Sequence, residues 1–555
     1  YPTLPLRGEY RGPLRVLGTV ADLTLTTDLV GEGGRVQLDG RFDAYAPTYR
    51  ATVRGAVNGF DLPVALGRAA LPSTSLDARF AVDVAGDSLA NVTGTAQVVA
   101  DRSVIDGVRV FGARAALRFG GGRVAVDSAR VESVAGELVA RGALGLTPAV
   151  SDTLRFAFTA DSLGGLRRYL ARRGTAEADS LVGSVRASGV LTGRTSRFAF
   201  DAAVDGAELR LRTATARTVR GTVALSALPD SATGAMTLRF DALRTGSTAF
   251  TEAALRADLL GGWQARTTAA FVAPSGVTAR AVADVRRLSD TTVVRLDSLQ
   301  ARTSGNSWAS QRRTVVAIDR QGFRFDSLVL AGERGGRIAA SGRASAGDTV
   351  GATLRFDDVP LADIGELLQT GDVMAGRLSM RADVRGTKRR PDLFFTGRMV
   401  AANVGGFSIG DVDADGRYAD RRLTTSLAMR RGSAPALHAD ASLPLDLAFQ
   451  PEGPRFLEEP LTARVRTDSA TLGLLEAFLP SVRDASGALR VDLDVSGTWK
   501  HPRATGSLAV TGGALALRPM GFARIEGLDA DIAFLGDSVA IRRLDRKSTR
   551  LNSSH

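Results

Sequence analysis

The stretch GALRVDLDVSGTWKHPRATGSLAV, residues 487–510, carries an apolar side chain at every second position of its first half. Leu489, Val491, Leu493 and Val495 project to one side, and Arg490, Asp492, Asp494 and Ser496 to the other. Successive residues of a strand face opposite sides of a sheet, so the alternation predicts a strand with one apolar and one wet face. Gly497 and Thr498 end the run, a short basic turn with Pro502 follows, and a second alternating run begins. Glycine permits the positive φ of a turn or bulge, and proline, which has no N–H for a ladder, suits the connection.

The same texture recurs along the chain. RFAFDAAVD (197–205) places Phe198, Phe200, Ala202 and Val204 on one face, and RLSMRADV (377–384) does so with Leu378, Met380, Ala382 and Val384. RVAVD (123–127) and FRFDSLVL (323–330) follow the pattern. Clusters of Gly, Asp, Ser or Pro bound such runs, as in antiparallel sheets with one solvated face. The expected class is all-β.

Helical spacing occurs at three places: Leu163, Leu166, Tyr169 and Leu170; Leu361, Ile364, Leu367 and Leu368; Leu472, Leu475, Phe478 and Leu479. Each predicts a short amphipathic helix of about two turns. Each precedes a strand bounded by glycines, Gly183 to Gly193, Gly376 to Gly386 and Gly487 to Gly497. Gly376, Leu378, Asp383, Val384, Gly386, Thr387 and Pro391 recur 111 positions later as Gly487, Leu489, Asp494, Val495, Gly497, Thr498 and Pro502. Residues 1–545 are therefore expected to form repeats of about 100 residues, clearest at 376–486 and 487–545, each stacking on the next.

Hydrophobic residues make up 44% and charged residues 23%, a composition of folded chains. Lys+Arg number 71 against 59 Asp+Glu, a net +12, yet only Lys388, Lys500 and Lys547 are lysines. The basic side chains are scattered singly, and aromatic residues, at 6%, offer little to stack on bases, so nucleic acid is not an expected partner. The absence of cysteine excludes disulfides and thiolate-bound metals. No apolar run reaches the ~20 residues of a membrane-spanning helix. The chain begins at Tyr1 with neither an initiator methionine nor a signal segment, so an N-terminal portion is expected to be missing. Texture changes at DRKSTRLNSSH, and residues 546–555 read as an extraneous or disordered tail.

Motifs that suggest chemistry have structural readings. GFSIG (406–410) fits the nucleophile elbow of hydrolases with Ser408 as nucleophile, but the following DVDADGRY alternates like a strand where that site needs a helix. DVDADG (411–416) copies the start of an EF-hand loop, but the position that must supply a bidentate Glu is Arg422. Asp411, Asp413 and Asp415 read instead as the wet side of a strand whose inner side is Val412 and Ala414, like LDAD at 528–531. No Gly-Lys pair or HExxH spacing is present, and RRYLARR (167–173) reads as a solvated helix face or a headgroup contact. No catalytic residue, metal ligand or cofactor is expected, and the chain is not read as an enzyme.

GALRVDLDVSGTWKHPRATGSLAVTGGALALRPMGFARIEGLDADIAFLGDSVAI (487–541) resembles the repeat of TamB-type translocation and assembly module proteins of the AsmA-like superfamily. The likeness lies in G-x-L, V-x-G-T before a proline, a second G-x-L strand and the closing GDSVAI; GRLSMRADVRGTKRRP (376–391) and DSLVLAGERGGRIAASGRAS (326–345) share it. The resemblance implies an elongated, twisted, open β-groove, a half-pipe of stacked multi-strand repeats with an apolar inner wall and a few short amphipathic helices. It implies a periplasmic bridge in a diderm bacterium. An N-terminal segment missing here would anchor it in the inner membrane, and a missing C-terminal domain would meet an outer-membrane barrel partner. Its implied work is conducting phospholipids along the groove, supporting outer-membrane protein assembly, or both.

Physics makes the reading workable. An acyl chain in an apolar trough gains about 25 cal/mol for each Å² removed from water, while its headgroup stays at the wet opening. Roughly forty strands at about 4.8 Å would extend on the order of 190 Å. The expected groove lining is Leu489, Val491, Leu493 and Val495, with Leu378, Met380, Val384, Phe198 and Phe200. A transmembrane barrel would need aromatic girdles that six Tyr and three Trp do not supply. The alternative is a secreted or surface β-repeat adhesin with a sealed interior.

Overall fold

A computed structural model describes residues 9–546, apart from positions 46, 68–70, 167–180, 230, 247, 346, 370–373, 405–406, 432–433, 450–452, 468–469, 475–481 and 518–524. The chain is all-β, with 76% of residues in strands and 4% in helices, so the expected class holds. It divides into two units, Tyr1–Pro274 and Ser275–His555, with eighteen described strands in each. Within each unit the strands follow one another in antiparallel ladders, mostly joined to their sequence neighbours by short turns. Among the described residues, substantial packing runs between sheet neighbours and onto the short helical turns.

Residue alternation and exposure agree. From Asp201 to Asp205, Ala202 is buried and Val204 half-buried, while Asp201, Ala203 and Asp205 are exposed. In Val482–Gly497, Leu489 and Val491 are buried and Arg490 and Asp492 exposed. The compared glycines adopt like geometry: φ is +106° and +97° at Gly376 and Gly386, and +112° and +95° at Gly487 and Gly497. Gly386 pairs with Pro391 and Gly497 with Pro502 across matching turns. A Cβ at either turn glycine would strike a backbone carbonyl oxygen, that of Arg390 or of His501.

The three expected helices come out differently. Leu361–Leu368 is an α-helix, but its most buried face is Leu361, Asp363 and Gly365, and Leu368 is 69% exposed. The periodicity of the leucines missed this because the helix docks through a carboxylate. Asp363, 1% exposed, accepts hydrogen bonds from Thr303 Oγ1 (2.6 Å), Asn306 Nδ2 (3.2 Å) and Trp308 Nε1 (3.2 Å). Glu366 accepts a further bond from the Ser304 N–H at 2.7 Å. Leu163–Leu166 and Leu472–Leu474 are single 3₁₀ turns; Tyr169, Leu170, Leu475, Phe478, Leu479 and the basic 167–173 stretch lie outside the described residues. A helix not anticipated spans Leu62–Leu66, with a proline in its first turn and Gly67 in the left-handed conformation at its end.

Candidate functional site

Directly opposed residues of neighbouring strands project from the same side of a sheet, so register carries an apolar face from strand to strand. In the second unit, Met380 pairs with Gly397, which pairs with Ala414, then Leu427, Ala439, Val465 and Leu493 in turn. The next row runs from Ala382 through Phe395, Gly416, Thr425, Ala441 and Ala463 to Val495. Seven strands thus present two uninterrupted rows, with Thr425 the sole polar member. Val384 begins a third row through Leu393, Tyr418 and Leu423, and Leu378 a fourth through Met399, Val412, Met429 and Leu437.

Each outer row has a buried stretch. Val412, Met429, Leu489, Val491 and Val510 cluster beneath Ala470 and Leu472, the latter 1% exposed. Opposite, Tyr418 is 1% exposed and its hydroxyl accepts the Leu447 N–H at 2.9 Å. The two middle rows are half-buried and rich in glycine and alanine. The two middle rows thus form the floor of this face between those buried stretches.

Large side chains on this floor lie flat. The Phe395 ring rests against Gly416, its paired residue, so closely that a Cβ there would stand 2.5 Å from ring carbons. Phe325 lies on Gly342 in the same way, and in the first unit Phe80 on Gly55 and Leu238 on Gly221. An interior strand glycine opposite a large residue was the unread signal.

Of the nine expected lining residues, Leu378, Met380, Val384, Leu493 and Val495 are half-buried on this face, and Leu489 and Val491 are sealed within the cluster under Leu472. Phe198 and Phe200 belong to the first unit, both half-buried. There Leu154, Leu191, Phe200 and Leu225 form one row and Phe156, Gly189, Ala202, Val223, Met236 and Ala257 the next; Phe156 stacks on Phe200 at 5.3 Å.

The opposite face carries the charges. Arg464 Nε meets Asp494 at 2.5 Å, Arg466 meets Asp492 at 3.1 Å, and Arg381 meets Asp383 at 2.8 Å. Hydrogen bonds from Arg381 and from Thr353 hold the Asp383 carboxyl below its ordinary range. Asp411, first carboxylate of the EF-hand-like motif, has another task. It accepts the Ala401 N–H at 3.0 Å, at a ladder irregularity where Ala401 takes a positive φ, and that bond lowers its pKa. Asp529 likewise accepts the Gly512 N–H at 2.7 Å, and Asp77 the Gly59 N–H at 2.8 Å, each at such an irregularity. Ser408 sits within the strand Phe407–Ala419. Among the described residues no helix is long and apolar enough to cross a membrane.

No protein-family model matches the chain, and no curated protein matches its sequence.

Proposed function

We propose that the apolar face is a conduit for phospholipid acyl chains. In this reading each unit curls its sheet into an open half-pipe of repeated units, and the protein bridges the inner and outer membranes through the periplasm of a diderm bacterium. A segment outside this chain anchors it in the inner membrane, another meets an outer-membrane barrel partner, and the bridge also serves outer-membrane protein assembly. The observation that carries the proposal is the pair of half-buried apolar rows, rich in alanine and glycine and unbroken over seven strands.

A tail lying there keeps one side against Ala, Gly and the flattened Phe395 ring. At about 0.8 kcal/mol per buried methylene, half-burying a tail of about fifteen gains roughly 6 kcal/mol, enough to extract it from water and weak enough to let it slide. Arg and Asp on the reverse face keep that side wet and separate the two environments by the thickness of one strand.

Mass spectrometry of lipid copurifying with the chain tests the proposal. Phospholipid is expected with the wild type and lost from a Leu493→Asp/Val495→Asp variant whose β circular dichroism is unchanged. A wild type that carries no lipid, and takes none up from vesicles, refutes it.

A further inference from the structure

A cavity of about 1170 Å³ in the second unit is lined by charged-side residues such as Arg381, Arg464 and Asp494 and by six members of the second middle row, Phe395, Gly416, Thr425, Ala441, Ala463 and Val495. The rest of its lining comes from the rows one residue to either side of that one. One row places Thr424, Ser442 and Thr462 directly opposite one another, with Ser496 also in the lining. At the start of that row Phe394, 43% exposed, carries the Arg417 guanidinium 4.9 Å above its ring. The neighbouring row supplies Arg381, Asp415, Asp440 and the Arg464–Asp494 pair.

We propose that this trough binds an extended, neutral, 1,4-linked glycan lying across the strands. Three observations select that ligand. Charges of both signs line the wall, and two guanidinium groups are already paired with carboxylates, so neither a polyanion nor a polycation meets a complementary surface. The same pairs retain unused acceptor and donor positions, which suit hydroxyl groups. The hydroxyl-bearing side chains repeat once per strand, about 4.8 Å apart, close to the rise per sugar of an extended glycan, and the lining crosses seven strands, roughly 29 Å. Phe394 with Arg417 provides the flat surface on which a sugar ring lies. The row of Phe395 and Val495 borders both this trough and the proposed lipid path, but the hydroxyl groups of Thr424 and Thr462 belong to the trough alone, so their removal tests this assignment separately from the lipid reading.

Titration calorimetry of the full chain with cellohexaose tests it, using maltohexaose, which is curved, and a linear hexagalacturonate as comparisons. Saturable cellohexaose binding is expected, at least tenfold tighter than either comparison. Phe394→Ala and the paired Thr424→Val/Thr462→Val change are each expected to weaken it at least tenfold. The valines preserve shape and strand preference, so they remove hydroxyls without unfolding the sheet, as an unchanged thermal melt verifies. No cellohexaose binding, equal or tighter binding of the hexagalacturonate, or full affinity in the valine variant overturns the assignment.

Discussion

Single carboxylates illustrate the structural work that charge does in this chain. Asp28 receives Arg35 through two bonds of 2.8 and 2.6 Å and Gln37 through one of 3.0 Å, which lowers its pKa to about 2. Because the folded value lies below that of the unfolded chain, the contribution is complete above about pH 4 and is lost as pH falls toward 2. Carboxyl-carbon NMR is expected to place the Asp28 midpoint near 2, and Arg35→Ala to return it toward the ordinary range. Asp363 offers a sharper test. Removing its carboxylate strands Thr303, Asn306 and the Trp308 indole in a buried pocket, so Asp363→Ala is expected to cost about 3 kcal/mol in urea unfolding. A loss under about 1 kcal/mol would show that the helix does not depend on this cluster. Neither role was legible in the sequence, since both depend on partners brought close by folding. Asp411 and Asp529 came closer: their matching DVDAD and LDAD contexts were visible, but the stranded N–H each one satisfies appears only with the ladder irregularity.

Among elements, the strands were the most legible, because period two survives wherever register is regular. It failed at irregularities such as that between Met399 and Ala402, where an extra residue re-aims the side chains beyond it. The one expected helix described in full, Leu361–Leu368, was less legible, since it docks through Asp363 and leaves Leu368 exposed. Leu489 and Val491 show the limit for the site: sequence places them on the apolar face, but not beneath Leu472, which arrives from a separate segment. The flat packing of Phe395 on Gly416 yields a test at this scale. Gly416→Val adds no charge and lies in ordinary strand backbone, but it must lift the ring from the floor. Copurified phospholipid is expected to fall severalfold with the strands intact. Unaltered lipid content would mean that the floor's depth at this point has no bearing on binding.

For the molecule as a whole, the decisive property is that apolar rows run from strand to strand along one side of the sheet in each unit. A sheet in that condition usually acquires a second layer or a partner. Under the proposed function, the half-buried rows rich in alanine and glycine take up a thin apolar guest in that role. The resemblance to groove-forming assembly proteins suggested what that guest is, while the register of seven successive strands supplies the physical argument for it. Photo-crosslinking side chains placed singly at Leu493, Asp494, Val495 and Ser496, in cells or with vesicles, test this most directly. The account predicts phospholipid adducts at Leu493 and Val495 and none at Asp494 and Ser496. Adducts at Asp494 and Ser496, or at none of the four, would contradict it.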